Sequence, residues 1–70
     1  MNSDQQFLLE CATTELISHL MKVESLDISE AMKIVYSSQL YRKMENTDTG
    51  LYREGPLYLY DMLCEERNKG

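Results

Sequence analysis

The residue pattern predicts an all-α protein, a small bundle of about four helices near residues 4–24, 28–37, 39–45 and 56–67. Three observations carry that reading. Apolar residues recur at helical spacing over most of the chain. Ser3, Asp27 and Ser38 stand where helix N-caps are needed. Glycine and proline are confined to Gly50, Gly55 and Pro56, apart from the last residue. At 70 residues the chain makes a single small helical domain, residues 1–70. A domain of this size buries only about 60% of the surface that its unfolded chain exposes. Natural chains so short commonly add a disulfide, a metal or a second chain.

The first helix opens on Ser3-Asp4-Gln5-Gln6, a Ser-x-x-Gln capping box, and runs to about Glu24. Along it Leu8, Leu9, Ala12, Leu16, Leu20 and Val23 form one apolar stripe, and Phe7, Cys11, Ile17 and Met21 a second on the opposite side. A helix with two such stripes is covered from both sides. Either the rest of the chain wraps it, or a second copy does, with Phe7, Cys11, Ile17 and Met21 as the dimer stripe. The expectation is a homodimer that completes the bundle.

Asp27 caps the second helix with Glu30 three residues on, and Ile28, Ala31, Met32, Val35 and Tyr36 share a face. Continued past Ser37-Ser38, the same helix would turn Leu40, Tyr41 and Met44 to the opposite side. That phase jump predicts a break, with Ser38 capping a short third helix. Asn46-Thr47-Asp48-Thr49-Gly50 has turn chemistry. Pro56 suits the first position of a fourth helix, with Leu57, Leu59, Tyr60, Leu63 and Cys64 on its apolar face. The alternation Leu57-Tyr58-Leu59-Tyr60 also permits a hairpin with Leu51-Tyr52-Arg53, but the helical pattern runs further, to Arg67.

Chemistry leaves little trace. No glycine pattern matches a phosphate loop, and no serine stands in a nucleophile elbow. Cys11 and His19 lie eight residues apart on one helix, about 12 Å along its axis, too far for a thiol–imidazole pair. Cys11, His19 and Cys64 lack the close spacing of a zinc site. The reading is therefore no enzyme, with no catalytic, cofactor-binding or metal-ligating residue assigned. The polar N-terminus has no basic n-region, and no run of about 18 apolar residues is present to span a bilayer. A cytoplasmic protein with two reduced, buried thiols is expected, outside any membrane.

The net charge is −5, and residues 1–30 alone carry six acids against one lysine. Such an end opposes an extended nucleic-acid footprint. Arg42 and Lys43, after the break at Ser37-Ser38, leave a helix-turn-helix-like DNA-binding regulator as an alternative. A structural homodimer with no separate ligand is another. Protein recognition fits the residues best: Tyr41, Arg42, Tyr52, Arg53 and Tyr58 join the types enriched at interface hot spots, in the one segment without net negative charge.

Tyr36-Ser37-Ser38 with Tyr41-Arg42, followed by Thr49-Gly50-Leu51-Tyr52, Glu54, Pro56 and Tyr58-Leu59-Tyr60, resembles a group of small uncharacterised bacterial helical proteins of similar length, over residues 26–66. The resemblance implies a bacterial cytosolic protein and points toward an accessory or operon-partner role, as in toxin neutralisation. No activity and no functional residue carries over from it.

Overall fold

The computed structural model describes residues 2–69, and they form four α-helices and no strand: α1 (Ser3–Glu24), α2 (Ile28–Tyr36), α3 (Gln39–Glu45) and α4 (Pro56–Lys69). Two 3-10 turns, Thr47–Thr49 and Leu51–Arg53, join α3 to α4. The hairpin reading of residues 51–60 is replaced by the second turn and the start of α4.

A helix of 22 residues such as α1 is about 33 Å long, and the longest dimension of the molecule is 33 Å. The other three helices and the second 3-10 turn pack along it. Its cap lies one residue earlier than Ser3: the Asn2 side chain accepts the Gln5 N–H, and Gln5 Oε1 accepts the Asn2 N–H. Asn2 caps as well as serine and has its reciprocal partner three residues on, while Gln6 turns along the helix to Glu10. The helix ends on Ser25 in the left-handed region, φ 55°. The Ser25 and Leu26 N–H groups both donate back to the Met21 carbonyl.

After this turn α2 folds back against α1, capped by Asp27, whose carboxylate accepts the Glu30 N–H at 2.8 Å. It buries Ala31 and Val35 and leaves Ile28, Met32 and Tyr36 exposed, so the face read as continuous is divided. The inward direction is turned toward Ile34, which packs on the core. The break at the serine pair is as expected. Ser37 Oγ donates to the Lys33 carbonyl, while Ser38 Oγ donates to the Val35 carbonyl and accepts the Tyr41 N–H that opens α3.

Leu40 and Met44 point inward from α3, and Leu59 and Leu63 from α4. With Leu9, Leu16, Leu20, Val35 and Tyr52 they make one core centred on α1. Pro56 begins α4 as expected, and the helix runs two residues beyond Arg67. Leu57 is exposed rather than packed, because the core-facing line of α4 passes through Leu59 and Leu63. Gly50, at φ 70°, makes the left-handed turn between the two 3-10 turns. Thr49 fixes that corner: its hydroxyl donates to the Lys43 carbonyl and accepts the Leu51 N–H.

Candidate interaction surface

The two apolar stripes of α1 do not meet two complete layers of protein. A helix of nine residues is about 13.5 Å long, less than half the length of α1, so α2 cannot cover all of one side. The second stripe is divided accordingly. Ile17 is 8% exposed and belongs to the core of its own chain, and Met21 packs against that core. The place of Ile17 in a dimer stripe is corrected, because its own chain buries it, while Met21 is half-buried at the edge of that core. At the other end Phe7 is 64% exposed, and Cys11, expected to be buried, is exposed as well.

The interaction residues separate in the same manner. Tyr52 is 3% exposed and fills the core beside α1, so it is not a surface anchor. The reason is local. Two successive 3-10 turns about Gly50 fold its ring inward, and the Arg53 guanidinium then lies 5.4 Å above that ring. Tyr41 is half-buried and meets the edge of Tyr36 at 4.9 Å; burial, then the nearby Glu45, pushes its phenol above the usual range. Arg42 and Tyr58 are exposed.

Two shallow concavities flank Cys11. One, of about 350 Å³, is lined by Phe7, Glu10, Cys11, Thr14 and Glu15. The other, of about 210 Å³, lies between α1 and the second 3-10 turn, against Leu8, Cys11, Glu15, Tyr52, Arg53 and Glu54. Sharing Cys11 and Glu15, they form a continuous strip. It brings Phe7 and Cys11 of the expected dimer stripe together with Arg53 and the edge of Tyr52. Tyr41, Arg42 and Tyr58 lie outside it. No spacing rule joins residues 7–15 to 52–54; the fold does so by laying the second 3-10 turn against α1.

A polar cluster at the far end of α1 was not legible in advance. Glu24 Oε2 accepts from Tyr60 Oη at 2.9 Å and from Arg67 Nη1 at 2.7 Å. The Arg67 hydrogen bond, followed by that of Tyr60, holds the Glu24 carboxyl below its ordinary value. Cys64 and then Glu24 beside the Tyr60 hydroxyl push that phenol well up. Tyr60 therefore ties α4 to α1 instead of presenting its hydroxyl to water. His19 meets the Tyr60 ring edge-on at 4.9 Å. The ascending pairs 19–60 and 24–67 show that α1 and α4 run in the same direction.

Among the described residues no helix is long and apolar enough to cross a membrane. No protein-family model, curated protein or solved structure matches the chain.

Proposed function

We propose that this chain is a small accessory protein of the bacterial cytoplasm that acts by binding another protein, encoded beside it in an operon. The observation that supports this is the strip along the N-terminal half of α1. There a large ring, Phe7, stands 64% exposed on a helix that buries Leu9, Ala12, Leu16 and Leu20 in the core. An exposed aromatic beside two open concavities is the form of a contact completed by a partner's side chains. The concavities are too open to enclose a small molecule.

The DNA-binding alternative loses support at α3. A reading helix presents its amino end to base edges, and here that end is occupied by the Glu66 carboxylate. The test is capture from the native host by the tagged chain, run in parallel with its Phe7→Ser variant. A protein retained at stoichiometric level by the parent and lost by the variant supports the reading. Identical captures by the two sink it.

A further inference from the structure

We infer that the occupant of this strip is a cationic amphipathic helix of the partner protein, an assignment that rests on the protein-binding reading above. Its rim is acidic. Before Lys22, α1 carries Asp4, Glu10 and Glu15 and neither lysine nor arginine, and all three acids are exposed. Glu10 and Glu15 line the same concavity as Phe7, and Asp4 lies three residues before Phe7 on the helix. Glu54 adds a fourth acid on the opposite wall. Arg53 is the one base there, and its guanidinium lies over the Tyr52 ring.

The floor has the shape of a helix seat. Phe7, Cys11 and Thr14 stand at i, i+4 and i+7, a row about 10 Å long in which one large residue is followed by two small ones. Such a ridge receives the groove of another helix and lets the backbones approach closely beyond Phe7. An occupant that pairs with this surface offers apolar residues along its seam and Lys or Arg on its flanks. A second copy of the chain is a poorer complement. Around a twofold axis it would oppose Asp4, Glu10 and Glu15 with the same three acids, at a net charge of −5 per chain.

The test uses the full chain, isotope-labelled for amide NMR. It is titrated with a synthetic amphipathic helical peptide of Leu and Lys, and with a Leu/Glu peptide of the same pattern. The Leu/Lys peptide is expected to shift amides of Phe7–Glu15 and Tyr52–Glu54, while the Leu/Glu peptide leaves them in place. Glu10→Lys with Glu15→Lys is expected to weaken the contact roughly tenfold, the loss of two partly exposed ion pairs turned repulsive. Phe7→Ser is expected to weaken it as well, without changing the far-ultraviolet spectrum. Equal binding of both peptides overturns the assignment, as do shifts centred on Ile28–Tyr36, or a dimeric chain with Phe7 and Cys11 protected in the interface. If charge reversal leaves capture of a Phe7-dependent partner unchanged, the cationic assignment falls and the protein-binding reading stands. If Phe7→Ser captures what the parent captures, both fall.

Discussion

Glu66 of α4 closes the amino end of α3: one oxygen of its carboxylate accepts the Leu40 N–H at 2.8 Å, and the other accepts the Gln39 N–H at 2.8 Å. Ser38 takes the next donor, Tyr41 N–H. Three of the orphan donors of a seven-residue helix are thus satisfied, two of them by a group 26 and 27 residues away. An isolated helix of this length is not stable in water, so α3 depends on the Glu66 carboxylate at its amino end and on the core packing of Leu40 and Met44.

Removing that carboxylate is expected to loosen α3 first. Glu66→Ala should cost about 2 kcal/mol, within the range for hydrogen bonds to a charged group and a favourable helix-end charge. Glu66→Gln, which keeps one accepting oxygen, should cost about half as much. Urea titrations of the three proteins measure the order. Hydrogen exchange should show the loss centred on Gln39–Glu45. Equal stability of all three would mean that water replaces the carboxylate at no cost.

The triad of Glu24, Arg67 and Tyr60 predicts an acid dependence of stability. Glu24 has its pKa lowered from the ordinary 4.5, chiefly by Arg67. A carboxyl depressed in the folded state contributes stability that is fully present above its unfolded value and is lost as pH falls through the folded one. The side chains are 25% and 39% exposed, Glu24 and Arg67 respectively, so screening keeps the pair near 0.2–1 kcal/mol, roughly the range of surface ion pairs. Arg67→Met should therefore lose a few tenths of a kcal/mol or more near neutral pH. Its denaturation midpoint should converge on that of the parent as the pH falls below 4.5 and through the lowered folded value. A constant gap across that pH range would show that Arg67 contributes through its apolar stem and not its charge.

Tyr52 and Tyr58 look alike in sequence, each a tyrosine near a glycine in the most punctuated segment, yet they hold different stability. Tyr52→Ala removes a ring that is 3% exposed. It should cost about 3–5 kcal/mol, as much as the whole core of so small a domain provides. Tyr58→Ala, at a site 51% exposed, should stay within about 0.5 kcal/mol of the parent. Thermal melts decide it. The contrast marks how far the sequence could be read. Helix positions and the serine break follow from caps and periodicity, which act over four residues. The inward turn of Tyr52 depends on Gly50 at φ 70° and on how two 3-10 turns lie against α1. The grip of Glu66 on α3, and of Glu24 on α4, likewise joins residues far apart in sequence. No local pattern encodes such pairings, and Glu66 reads from sequence as one more acid in a solvated tail.

Ile17 and Phe7 give the last contrast, because one stripe was expected to hold both in a dimer contact. Ile17→Asp places an unpaired carboxylate among the core residues, a cost that exceeds what a 70-residue domain can absorb, so this variant should be unfolded at every protein concentration. Phe7→Asp sits in water on a helix face that α2 is too short to reach, and it should fold with an unchanged melting temperature. Circular dichroism with sedimentation velocity on both proteins tests the division. If Phe7→Asp instead lowers the melting temperature in a concentration-dependent manner, the exposed end of α1 is buried against a second copy and the homodimer expected from the two stripes returns. If Ile17→Asp remains folded, the C-terminal half of the stripe is not a core element, and the short return of α2 over α1 does not explain why the stripe divides where it does.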